Sequence, residues 1–199
     1  MHIKPPNKII NLQDKDLAIS FLSVFSGLLV GLIMYTFLDN GTRKEIFELF
    51  IDFNTIFTNK TTIEILSGIV LYGLLYFIIL FILGGSFLGS VAAPIVTLIK
   101  SAGLTLIVSN LYCEYALKGL EYTLLVFFPG KCILILAMLL MTKNCIATSR
   151  KIIYNDKDTQ VKNITDYSIK SLIILIIFLF SWITDFGLIK VFSNLFNFK

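Results

Sequence analysis

Chemistry-bearing residues are scarce in this chain. It has one histidine, three cysteines, four prolines and a single tryptophan in 199 residues, and only 15% of its residues are charged. His2 stands alone beside the start, so the sequence offers no histidine pair for acid–base work and no histidine metal centre. Cys113, Cys132 and Cys145 are too few and too far apart for a disulfide framework, and no CxxC pair is present. Buried thiols of this kind behave as small hydrophobes. There is no nucleophile elbow, no phosphate loop and no HExxH. The two N-x-T triplets, at Asn59 and Asn163, are short enough to arise by chance. These absences leave no catalytic residue, cofactor site or metal to name, and they point away from an enzyme. A net charge of +4 could serve a nucleic-acid binder, but the positives fall between apolar runs rather than on one basic face, which excludes that partner.

What the chain has instead is apolar length. It is 56% hydrophobic, with a mean hydropathy of +0.84, too apolar for an ordinary soluble domain. The run from Ile65 to Ile99 carries no charge at all. As one helical rod it would extend roughly 50 Å, against about 30 Å for the hydrocarbon core of a bilayer. It also carries its own break, Gly84-Gly85 followed by Gly89 and then Pro94. Glycine tolerates positive φ and proline cannot continue an interior ladder, so the run predicts two transmembrane helices joined by a very tight turn.

The whole pattern predicts an all-α polytopic membrane bundle of five spans in a single domain. They cover about Ala18–Leu38, Ile65–Leu83, Ser90–Tyr112, Tyr122–Thr142 and Ser168–Leu188. Strands of an outer-membrane barrel are far shorter than these runs. Orientation follows the basic residues. Lys4, Lys8 and Lys15 precede the first span, and Lys143, Arg150, Lys151, Lys157 and Lys162 lie between the fourth and fifth. The loop Asp39–Glu64 is acidic by comparison. Five spans with the N-terminus in the cytoplasm put both basic segments inside, the acidic loop outside and the C-terminus outside, in a bacterial cytoplasmic membrane. The first apolar stretch is too long for a cleaved signal peptide and no A-x-A-like site follows it, so a retained anchor is expected.

The connections have character of their own. Ile46, Leu49, Phe50, Phe53, Ile56 and Phe57 recur at helical spacing opposite Glu45, Glu48 and Asp52, which predicts an amphipathic helix lying in the outer interface. It reads first as an anchor sealing the bundle's edge, and second as a docking face. Gly119 is expected to ease the short external connection Cys113–Glu121 into the fourth span. The polar segment Lys143–Ser168 reads as a cytoplasmic loop whose basic residues lie near anionic head groups.

Lys100 and Lys131 stand apart, each about ten residues into its span. An ionisable group at that depth is costly and is a functional-site hypothesis; the bland alternative is a lysine that snorkels to a head group. Charges inside membranes usually pair, and Asp185 is the partner within reach of Lys131. Depth counting along the two helices leaves roughly 8 Å for the lysine stem to close. The rival is a solvated Asp185 that simply ends the fifth span. Gly27 and Gly31 form a GxxxG pair, with Ser23 on the same face, which reads as helix packing within the bundle before it reads as dimerisation.

Over Leu74–Ile152 the chain resembles the stage II sporulation protein M family of bacterial membrane proteins. The residues that carry the resemblance are the turn Leu83-Gly84-Gly85-Ser86-Phe87-Leu88-Gly89 with Pro94 shortly after, Ile99-Lys100, Leu117-Lys118-Gly119-Leu120, and Phe127-Phe128-Pro129 opening an apolar helix that ends near Arg150-Lys151. Where that family has Pro-Gln-Asn, this chain has Pro129-Gly130-Lys131. The resemblance implies a non-enzymatic membrane component of endospore engulfment, a scaffold that anchors or recruits the cell-wall-degrading stage II sporulation proteins D and P. The competing expectation is a permease or channel subunit with Lys100 and Lys131 lining a polar path. The lipid bilayer is a partner under either, and self-association is left open.

Overall fold

The computed structural model describes residues 7–39, 41–43, 45, 62–154 and 157–192, and every regular element among them is helical. The order is α1 (Asn7–Phe37), α2 (Thr62–Gly84), α3 (Gly89–Tyr122), a π turn (Thr123–Phe127), α4 (Phe128–Tyr154) and α5 (Lys157–Phe192). Three stretches are long and apolar enough to cross a bilayer: Asp14–Phe37, Gly89–Ile152 and Asn163–Phe192; Gly73–Gly84 is a shorter apolar helix. The chain is thus an all-helical bundle of the kind its composition implies, consistent with a membrane protein. Its outside is as greasy as its core, with Leu22, Phe37, Ile82, Val91 and Ile176 all exposed. The expected amphipathic helix over Ile46–Phe57 lies outside the described residues.

Gly89–Ile152 is 64 residues of helix, roughly 96 Å if straight. It is not straight. Thr97 Oγ1 lies 2.6 Å from Thr142 Oγ1, and Ser149 Oγ donates to the Phe87 carbonyl at 3.1 Å, so α3 and α4 run antiparallel side by side. The reversal occurs at Ala116, whose φ of 47° and ψ of −123° match the first central position of a type II′ turn, one that glycine prefers. This corrects the expected loop Cys113–Glu121: helix continues up to the kink and resumes at once. Gly119 has a different task from the one anticipated. A Cβ there would run into the Leu111 carbonyl, so this glycine lets the chain close on itself after the kink.

At the other end of the hairpin, Gly85–Leu88 form the turn between α2 and α3. The tight turn is present, but its chemistry differs from expectation. No glycine among the described residues has a positive φ. Gly84 is needed because a Cβ would strike the Tyr167 ring, and Gly89 because one would meet the Leu83 carbonyl and lie 3.2 Å from Cys145 Sγ. Gly85 has no such constraint, since a Cβ there would find only the Ile82 oxygen at 3.6 Å. Pro94 does not break the chain. It sits inside α3, one turn and a half from its start, where it leaves the Ser90 carbonyl without the usual helical donor. Ser149 of α4 supplies the cap that Leu88 lacks: it accepts from the Ser90 N–H at 3.0 Å while donating to Phe87.

Helix α4 is the hub, packing on α1, α2, α3 and α5 alike. Around it, α1 lies on α3, α3 on α2 and α2 on α5. The α1–α3 contact uses the expected glycine pair: a Cβ at Gly27 would collide with Ser101 and Leu98, and one at Gly31 would come within 2.9 Å of Ala102 Cα. The pair serves packing inside the bundle. On the far side, Trp182 covers Gly73, and Phe178 meets Phe77 edge-on with ring centroids 5.8 Å apart. The segment expected as a loop, Lys143–Ser168, is mostly helix: α4 runs on to Tyr154 and α5 starts at Lys157. Of its charges, Lys151 and Asp166 are exposed on these helices.

Two outcomes follow for the hairpin ends. Gly89→Leu should lower the accumulation and detergent stability of the protein, whereas Gly85→Leu should leave both near wild type; equal damage from the two would contradict the steric reading. Ala116→Gly should relieve the strained backbone and raise stability by about 1 kcal/mol in a reversible unfolding assay.

Candidate functional site

The polar groups buried in the bundle are few, and each sits on a helix seam. The most developed site joins α4 to α5. Pro129 cannot donate a backbone hydrogen bond, and its ring crowds the carbonyl four residues back. The π turn ahead of it, in which the Phe128 N–H reaches the Thr123 carbonyl five residues back, is wide enough to accommodate that ring. Its extra residue also turns everything that follows by about 100° relative to a regular helix. Gly130 then faces α5: a Cβ there would drive into the Asp185 carboxylate, with Cγ only 2.7 Å away. Ser181 Oγ donates to the Gly130 carbonyl at 2.8 Å, one turn before Asp185.

Into this close approach Lys131 Nζ donates to Asp185 Oδ2 at 2.6 Å. Asp185 is nearly sealed, its side chain 4% exposed, while that of Lys131 is 20% exposed and its ammonium lies 5.0 Å from the Phe127 ring centroid. The pairing expected from sequence is present, and the solvated Asp185 is not found. The register of the two helices, with Ser181 and Asp185 both against Gly130, removes the depth gap, and the missing side chain of Gly130 lets them approach. Gly130, Lys131 and Asp185 are therefore a matched set: the glycine makes room for a carboxylate and the lysine neutralises it.

A second ion pair closes the opposite end. Arg150 Nη1 of α4 donates to Asp16 Oδ1 of α1 at 2.5 Å, and Asp16 is buried. Between the two pairs runs a ladder of hydroxyls. Tyr76 Oη lies 3.1 Å from Thr97 Oγ1, which in turn contacts Thr142 Oγ1 and the Ala93 carbonyl; Thr142 Oγ1 also reaches the Met138 carbonyl. Three hydroxyl protons serve four contacts, so at least one proton is shared. Near the Ala116 end, Tyr35 Oη donates to Asn110 Oδ1 at 3.2 Å, joining α1 to α3, and the Asn110 Nδ2 is buried without a partner.

Lys100 is half-buried on α3, one turn from Thr97. Unlike Lys131, it has no carboxylate or hydrogen-bond acceptor among the described residues. The two lysines thus differ in pairing, although Lys131 lies near enough for its charge to act on Lys100. Cys113 and Cys132 are exposed, Cys145 is buried and all three are free. Among the described residues no three His, Cys, Asp or Glu side chains gather as a metal ion would require.

Compared with known proteins, the chain matches no family model, no curated sequence and no solved structure.

Sequence reasoning missed Asp16–Arg150, the Tyr76–Thr97–Thr142 ladder and Tyr35–Asn110. The second had a signal. Thr142, Cys145 and Ser149 recur three and four residues apart on α4, a polar stripe that continues the face of Lys131 in a heptad-like rhythm. Arg150 was absorbed into the charge bias of its segment, where pairing leaves no separate trace.

Breaking the Lys131–Asp185 pair from one side should be costly, since it strands a buried charge. Lys131→Met and Asp185→Leu are each expected to destabilise the protein by about 3 kcal/mol, with the double variant recovering most of the loss. Thermal unfolding in detergent reads this, and additive losses would show that the two side chains do not act as a pair.

Proposed function

We propose that the chain is a non-enzymatic integral membrane scaffold that anchors or recruits peptidoglycan-remodelling hydrolases during endospore engulfment. It crosses a bacterial cytoplasmic membrane five times, with the N-terminus inside and the C-terminus outside. Three supports bear on this reading. The resemblance to the stage II sporulation protein M family runs through the Gly84–Gly89 turn, Pro94, Gly119 and Pro129. The 64-residue helix folds back at Ala116 into two arms, each long enough for a crossing, and α2 ends in the shorter apolar stretch Gly73–Gly84. The observation that carries most weight is what the buried charges do. Lys131–Asp185 and Asp16–Arg150 bind helices to one another, as in a static platform.

The second reading, a permease or channel subunit, is favoured by Lys100 alone, an unpaired cation beside a hydroxyl ladder. The two readings part on where function is sensitive. Photo-cross-linkers placed along residues 46–57 should capture extracytoplasmic cell-wall hydrolases from native membranes, and Lys100→Met should leave engulfment intact. Capture of no hydrolase, together with a loss of function in Lys100→Met, would favour the permease. The orientation has its own check. In a background without native cysteines, a cysteine at Asn54 should react with an impermeant maleimide in intact cells and one at Asn155 should not.

A further inference from the structure

The ring of helices around α4 is not closed. Helices α1 and α5 both rest on α4 but have at most slight contact with each other among the described residues, which leaves a strip of α4 open between them. At the end that carries the Gly85–Leu88 turn, this cleft collects cations. Lys143 and Arg150 lie seven residues apart on α4 and therefore on one stripe. Arg150 is taken up by Asp16, and the charge of Lys143 also acts on that carboxylate from one side. Lys170 is exposed on α5. Asn144 Nδ2 lies 3.4 Å from Ser171 Oγ, which fixes the register of the two antiparallel helices. Each lysine directly precedes one of these residues, so the two ammonium stems start within about 3 Å of the same level. Lys151 is exposed on the same helix, further out.

The vertical order is what gives the cleft a meaning. Among the described side chains, the carboxylates of this end are Asp14, Asp16 and Asp166. Asp16 stands level with Arg150, about 10 Å from Lys143 along the helix rise, and Asp166 lies one turn before Lys170, on the same side. The two lysines are therefore the innermost charges of the cleft. On their other side the surface is apolar, with Leu136 52% and Ile173 58% exposed. Two cations without an ion pair among the described residues, at the foot of an apolar strip, match the outline of a phospholipid, with its phosphate at the cations and its acyl chains along the strip.

We propose that this cleft is a binding site for an anionic phospholipid, its phosphodiester held between Lys143 and Lys170 and its chains lying along Leu136 and Ile173. The lipid completes the helix ring where α1 and α5 leave it open. The site requires that this end of the bundle lie at head-group level, and it does not depend on which side of the membrane that is or on the scaffold reading.

The test uses the full-length protein in detergent, with bound lipid counted by native mass spectrometry. Phosphatidylglycerol should bind more tightly than phosphatidylcholine. Lys143→Gln and Lys170→Gln should each weaken phosphatidylglycerol about fivefold, and Lys118→Gln at the far end should change nothing. Added salt should weaken phosphatidylglycerol in the unaltered protein and spare phosphatidylcholine, a readout that survives if a variant fails to fold. Equal binding of the two lipids, no effect of salt, or an equal loss in Lys118→Gln would overturn the site. So would inorganic phosphate competing the lipid off at matched concentration, since an isolated ion would then suffice.

Discussion

A bundle whose exterior is as apolar as its interior cannot be held together by moving apolar surface away from its solvent. In lipid, a leucine loses nothing by facing outward, so helix association must come from close packing and from polar contacts. Every seam of this protein follows that constraint. Where helices touch most closely there is a glycine, as at Gly27, Gly31, Gly73, Gly84 and Gly130. Where polar atoms are buried, most are met by a partner on another helix. The glycines set how near the helices come, and the polar pairs set which helices meet and at what height.

Gly130 shows how these two devices combine. A side chain there would hold α4 and α5 apart, and the Lys131 ammonium would then fall short of Asp185. With the glycine, a charge-assisted hydrogen bond forms in a setting where an unpaired carboxylate would be very costly. Pro129 and the π turn before it choose the face on which Lys131 emerges. Four consecutive features of one short segment thus act as a single joint.

The helical class, the runs themselves and the Lys131–Asp185 pairing were legible in the sequence, because each follows from local rules: helix rise, bilayer thickness and the cost of a buried charge. The glycines of the first helix were legible as a packing face, though not their partner on α3. Three things were not legible. Ala116 reverses the chain without any turn signature, since tertiary packing of α3 on α4 imposes a backbone that alanine disfavours. Gly85 looked essential but is sterically idle, because the turn closes with ordinary negative φ values. Arg150 read as one of the basic residues near head groups and Asp16 carried no signal, and only the relative height of α1 and α4 makes them partners.

That last pair has a consequence for how the protein is made. Asp16 and Arg150 are separated by 134 residues, and α4, on which every other long helix rests, is fourth in chain order. At a synthesis rate of about 5–20 residues per second, Asp16 emerges roughly 7–27 seconds before its guanidinium exists. Until then α1 has a bare carboxylate at its foot, and its height is fixed only by the glycine face it packs on α3, which is complete at Tyr122. The first helices can therefore pair before the hub exists, and the last element of their registry is set from behind, by a helix that arrives late.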